Sequence, residues 1–94
     1  MPELKRVIEV GNKYGLHARA STRLAQVAKE FQSAVLVSKA DEDDDEEVDA
    51  KSILGILTLG VARGQNLQIR VVGDDAEDAM AAIVQLIEAN FDED

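Results

Sequence analysis

Ninety-four residues suffice for one domain with a modest core, and a formal net charge of −9 argues against nucleic acid and anionic membranes as general partners. Hydrophobic residues make up 46% and aromatics only 3%, so the core must be aliphatic. The absence of cysteine excludes disulfides, thiolate metal sites and thiol catalysis, and a single histidine argues against a histidine-based zinc site.

No apolar run approaches the ~20 residues needed to span a bilayer. Met1 to Arg6 lacks the apolar core of a signal peptide, so a cytoplasmic protein is expected. Leu4 to Val10 then reads as a first strand, with Leu4, Ile8 and Val10 on one face and Val7 and Glu9 on the other. Gly11 to Gly15 is turn material. From Ala18 to about Phe31 the period lengthens, and Ala20, Leu24, Val27, Ala28 and Phe31 form one helical stripe.

The segment Gly15-Leu16-His17-Ala18-Arg19 joins that strand to that helix and holds the only histidine. Its position places His17 at or just before the first helical turn. Backbone N–H groups there lack partners inside the helix, and the dipole end is positive, so the place suits an anion such as phosphate. Arg19 adds a planar fork of donors. Lys13, Arg23 and Lys29 lie close in sequence, so the region is expected to be locally positive on an acidic chain. A histidine so placed serves equally well as a plain helix cap, and spacing alone does not separate the two readings.

Ser33 to Lys39 reads as a second strand. The run Asp41-Glu42-Asp43-Asp44-Asp45-Glu46-Glu47 is expected to be a solvated loop; it lacks the spaced ligands and central glycine of an EF-hand. Val48 to Ala50 makes a short third strand. Ser52 caps a brief helix, Ile53 to Leu59, which stops at Gly60. That helix is apolar nearly all round and too short to hide every face, so part of it should remain as an exposed contact patch. Leu67, Ile69 and Val71 alternate with Gln68 and Arg70 in a half-buried fourth strand. Asp74 and Glu77 resemble a capping box for a last helix, which carries Ala76, Ala79, Met80, Ile83, Leu86 and Ile87 on its stripe as far as about Asn90. Phe91 is expected to tuck onto the core and Asp92-Glu93-Asp94 to form a polar tail. The order β-α-β-β-α-β-α, with one apolar face per strand, predicts an α+β fold: a single domain over residues 1–94, with an antiparallel sheet covered on one side by helices.

Three stretches carry a resemblance to the HPr family, the histidine-containing phosphocarriers of the bacterial sugar phosphotransferase system. They are Gly15-Leu16-His17-Ala18-Arg19, then Lys51-Ser52-Ile53-Leu54-Gly55 with Leu59-Gly60, and Gly73-Asp74-Asp75-Ala76. The resemblance implies an open-faced β-sandwich, a four-stranded sheet in the order 1-4-2-3 under three helices. It implies that His17 accepts a phosphoryl group from Enzyme I and passes it to IIA domains. The backbone of Ala18 and Arg19, together with the Arg19 side chain, would hold the phosphoryl oxygens. Ser52 matches the family's regulatory serine, the target of a dedicated kinase in some bacteria. Ala20, Arg23, Ile53, Leu54 and Leu57 are the expected partner surface. Neither metal nor cofactor is implied, and a monomer is expected. Ala20 stands where the family usually has proline, which removes some preorganisation of the first turn. The acidic run lengthens one loop, and if the first two strands run parallel it emerges at the His17 end, where it would tune partner choice electrostatically. The competing readings are a nitrogen-related phosphocarrier or a binding module switched by Ser52 without turnover at His17, and a small ligand- or metal-binding domain without phosphoryl chemistry.

Overall fold

The structure, a computed structural model, describes residues 1–41 and 46–93. Residues 42–45 of the acidic run and Asp94 of the expected polar tail lie outside the described residues. The elements follow the predicted order: strand β1 (Glu3–Glu9), helix α1 (Ala18–Lys29), strand β2 (Ala34–Lys39), strand β3 (Val48–Asp49), helix α2 (Ile53–Leu59), strand β4 (Asn66–Val72) and helix α3 (Ala76–Glu88). A short turn, Asn90–Asp92, follows α3.

The strands form one antiparallel sheet in the order β1-β4-β2-β3, the α+β open-faced sandwich. β4 lies between β1 and β2 and is antiparallel to both, so β1 and β2 run parallel. Their ends meet the start of β4, Glu9 opposite Asn66 and Lys39 opposite Leu67. The loop after β2 therefore leaves at the end where β1 hands over to the His17 segment. Asp41, the first residue of the acidic run, is tied there, its carboxylate accepting from the Asn66 backbone N–H at 2.8 Å and from Asn66 Nδ2 at 3.1 Å. At the other end of the run, Glu47 takes both Nε and Nη2 of Arg70 at 2.7 Å.

The alternation read in β4 holds: Leu67, Ile69 and Val71 are fully buried, while Gln68 and Arg70 are half-exposed. They meet Val35 and Val37 of β2, Leu24 of α1, Ile56 of α2 and Ile83 and Ile87 of α3 in one aliphatic cluster. Each such side chain contributes about 1.5–3 kcal/mol through burial. Phe91 is buried against this cluster, as expected.

The capping box expected of Asp74 and Glu77 does not form. The N-cap of α3 is Asp75, and its side chain makes no cap bond. Its carboxylate turns instead to the connection between α1 and β2, accepting from the backbone N–H groups of Gln32 and Ser33, each at 2.9 Å, and from the Ser33 hydroxyl. Three donors from another element outcompete one local N–H, and the Ser33 hydroxyl above all holds the Asp75 carboxyl below the usual carboxylate range.

Gly15 has φ +65°, and a Cβ there would lie 2.4 Å from the Val61 carbonyl oxygen. The close approach is used: the Leu16 N–H donates to that same oxygen at 2.9 Å. Gly60, the C-cap of α2, also has a left-handed backbone but open space around it. Gly60→Ala should therefore cost about 1 kcal/mol, the left-handed penalty alone. Gly15→Ala should cost at least about twice that, because backbone must also move. Urea midpoints of the two variants decide the point, and equal losses would show that the Val61 contact carries no weight.

Candidate functional site

The site begins where β1 ends. The loop is fastened by Asn12, which is 1% exposed. Its Nδ2 donates to the Gly15 carbonyl at 2.8 Å, and the Gly15 N–H donates back to the Asn12 carbonyl at 3.2 Å. Gly15 supplies the left-handed bend, and Leu16 drops into the core. His17 then stands in extended backbone as the N-cap of α1. Its Nδ1 accepts from the Arg19 N–H at 3.2 Å, and its carbonyl accepts from the Ser21 N–H at 2.8 Å. The Ser21 hydroxyl donates to the Leu16 carbonyl at 3.1 Å and locks the first turn to the bend.

The other ring nitrogen is enclosed. His17 Nε2 is buried and lies 2.6 Å from Glu93 Oε2. Glu93 Oε1 accepts from Asn12 Nδ2 at 2.9 Å, and Arg19 Nε is 3.7 Å from Oε2. The Asn12 amide first, then the His17 ring and the Arg19 charge, hold the Glu93 carboxyl below its ordinary value, against the opposing effect of burial. The turn that delivers Glu93 is unusual. Asn90, Phe91 and Asp92 all have φ between 54° and 62° without a glycine among them. Burial of Phe91 and an ion pair from Arg23 Nη2 to Asp92 Oδ2 at 2.7 Å hold it. Tyr14 meets the His17 ring edge-on, centroids 6.2 Å apart, and Lys13 lies over the Tyr14 ring. Beside the histidine, Lys13, Tyr14, Arg19, Arg23, Phe91, Asp92 and Glu93 line a recess of about 460 Å³.

The sequence-predicted residues fall into two groups. His17, Ala18 and Arg19 come together at the mouth of α1, with Arg19 80% exposed and free to swing. Ile53, Leu54 and Leu57 of α2 form the exposed apolar patch, Leu54 at 73% exposure. Ser52 caps α2, its hydroxyl accepting from the Gly55 N–H at 3.1 Å. Two expectations need correction. Ala20 is fully buried and packs inward on the stripe of α1, so it offers a partner no surface. Asp92 and Glu93, expected only as a polar tail, fold back onto α1, Asp92 to Arg23 and Glu93 to His17. Arg19 and Arg23 are thereby each met by a carboxylate. Asn12, Asp92 and Glu93 were not singled out by the sequence reading. Only the polar Asn12 inside an otherwise unremarkable turn gave a local hint.

The arrangement leaves Nδ1 at the helix mouth as the reachable ring nitrogen, with amide and guanidinium donors beside it. That is equipment for holding an oxyanion against a nucleophilic imidazole. Among the described residues no helix is long and apolar enough to cross a membrane.

Comparisons with known proteins agree. A family model described as PTS HPr component phosphorylation site matches residues 4–89. Phosphocarrier protein HPr of Neisseria meningitidis serogroup A is 42% identical over 90 residues, 96% of this chain and 97% of that protein. Phosphocarrier protein NPr of Escherichia coli K12 is 33% identical over 91 residues, 97% of this chain and 98% of that protein. A crystal structure of HPr-C-His from Thermoanaerobacter tengcongensis superposes with a TM-score of 0.85 at 44% identity, covering 100% of this chain and 99% of that one.

The lowered Glu93 carboxyl has a consequence for stability. A carboxyl with a folded value below its unfolded one stabilises the fold in full above the ordinary 4.5 and loses that contribution as pH falls towards the lower value. The fall in urea midpoint between about pH 7 and about pH 3 should therefore be smaller in Glu93→Gln than in the parent chain. An identical fall in both would show that the Glu93 contacts do not stabilise the fold.

Proposed function

The chain belongs to the HPr family of phosphocarrier proteins, and from that premise we propose that His17 is its phosphoryl acceptor and Nδ1 the nitrogen that takes the group. The observation that carries this is the asymmetry of the ring: Nε2 is shut in against Glu93, whereas Nδ1 faces the first turn of α1. A neutral imidazole is the nucleophile, since the Nδ1 lone pair must be available to bond to phosphorus. As the phosphoryl group arrives, the Ala18 and Arg19 amides and the Arg19 guanidinium take its oxygens, and Arg19 has the freedom to do so. The donor is Enzyme I and the receivers are IIA domains, so most of the catalytic apparatus belongs to the partners. We assign no cofactor or metal to this role, and place a monomer in the cytoplasm, making brief encounters.

Docking is through the α2 patch. Ile53, Leu54 and Leu57 stand exposed while Ile56 anchors the helix, and Arg23 flanks α1 on the side of the histidine. A kinase-added phosphate on Ser52 would sit at the start of α2 beside these side chains, where desolvation cost and repulsion oppose an apolar partner. This supports regulation by a kinase of the HPr kinase/phosphorylase kind. The similarity to NPr as well as to HPr favours a second reading, in which the same chemistry feeds a nitrogen-related acceptor rather than a sugar importer.

Incubation with phosphoenolpyruvate and Enzyme I should give an acid-labile phosphorus resonance that His17→Ala abolishes. A phosphoserine resonance at Ser52, made only with a kinase, should survive acid. An acid-labile signal that persists in His17→Ala would overturn the assignment. Leu54→Glu should raise the Enzyme I concentration for half-maximal transfer by about tenfold while leaving the urea midpoint unchanged. Unaltered dependence on Enzyme I would remove α2 from the docking surface.

A further inference from the structure

Glu93 has no role in the family reading, yet its side chain meets Asn12, His17 and Arg19. Its carboxylate accepts and does not donate. Nε2 lies 2.6 Å from Oε2, too close for two bare lone pairs though not in line for a hydrogen bond, so the contact favours the proton on Nε2. From the other side Nδ1 accepts from a backbone N–H, which a protonated nitrogen does not do. The two contacts select the same neutral tautomer, with the lone pair on Nδ1. We infer that Glu93 is a positioning residue for phosphoryl transfer: it fixes the proton of His17 on Nε2 and balances the charge that the ring gains when Nδ1 bonds to phosphorus. The inference rests on His17 as the acceptor.

The carboxylate is held firmly enough for such work. Its second oxygen takes Nδ2 of Asn12, and that amide is buried and tied to the Gly15 carbonyl. The backbone reaches Glu93 through three consecutive left-handed residues, a conformation that residues with a Cβ rarely adopt. Burial of Phe91 and the Arg23–Asp92 pair over-determine that shape. Around Glu93 the charged or polar neighbours are Asn12 on the loop and His17 and Arg19 on α1. Lys13, Tyr14, Arg23 and Asp92 line the recess alongside.

The step balances without a proton leaving the site. The Nδ1 lone pair forms the bond to phosphorus as the bond from phosphorus to the donor atom breaks, and the broken bond's pair stays with the donor. Nε2 keeps its hydrogen, so the ring becomes formally cationic. Glu93 Oε2 neutralises that charge from the Nε2 side, away from the phosphoryl oxygens at the helix mouth. Onward transfer returns the N–P pair to Nδ1, and the ring is again the neutral Nε2–H form. A carboxylate that orients a histidine and meets its developing charge is familiar from hydrolytic triads; here the imidazole is the nucleophile itself.

Nitrogen NMR of the labelled, unphosphorylated chain at neutral pH reads the tautomer directly. The parent should show one pyrrole-like and one pyridine-like ring nitrogen, the former at Nε2. In Glu93→Ala the two shifts should move towards each other as the tautomers mix, and Asn12→Ala, which frees the carboxylate from its anchor, should do the same in smaller measure. Glu93→Gln keeps an acceptor and removes the charge; the equilibrium of phosphoryl exchange with Enzyme I should then move about tenfold against the phosphorylated chain. Ring shifts unchanged in both Glu93→Ala and Asn12→Ala, or an exchange equilibrium unchanged in Glu93→Gln, would overturn the inference. Failure of the acceptor assignment looks different: labelling that survives in His17→Ala, whatever the ring nitrogens show.

Discussion

The backbone contact between Gly15 and Val61 is the constraint on which the arrangement depends. It lets two chain segments approach more closely than any Cβ would allow, and the Leu16 N–H seals the approach with a hydrogen bond. Through it, the bend that presents His17 is fixed against the segment that follows α2. His17 and the C-terminal end of α2 are thereby held in one frame.

The charges answer a second problem. In the role proposed for His17, an acidic chain takes up further negative charge. The amides of the first turn of α1 and the exposed Arg19 guanidinium would receive it, while Arg19 and Arg23 each already face a carboxylate. Such fixed dipoles need little reorganisation when the anion arrives. The acidic run, meanwhile, is tethered at both ends to β4, by Asp41 on Asn66 and Glu47 on Arg70.

Much of this was legible from the residues. β1, β4, α1 and α3 declare themselves by period, and the caps of α2 at Ser52 and Gly60 fall where their chemistry puts them. The left-handed bend at Gly15 and the placement of His17 were equally readable, because both are decided within a few residues of chain. What escaped was decided across the chain. Asp74 looked like the cap, but the cap position falls to Asp75, which spends its carboxylate on Ser33, 42 residues away. Ala20 looked available because nothing in the sequence says how deeply α1 sits. Glu93 looked like tail because three acids in a row leave no periodic trace, and its partners Asn12 and His17 lie on the opposite side of the sequence. Long-range polar pairs carry no repeat, so pattern reading passes over them.

The anatomy of α2 has a consequence for how such relays diversify. Of its seven residues only Ile56 is fully buried, so folding and recognition are written in different letters of the same short word. If α2 docks partners as proposed, drift at Leu54, 73% exposed, would alter who is met and scarcely touch whether the chain folds, because exposed substitutions usually cost within about 0.5 kcal/mol. Two sister carriers sharing a cell can become insulated from one another by a handful of such changes, with the phosphoryl chemistry left as it was.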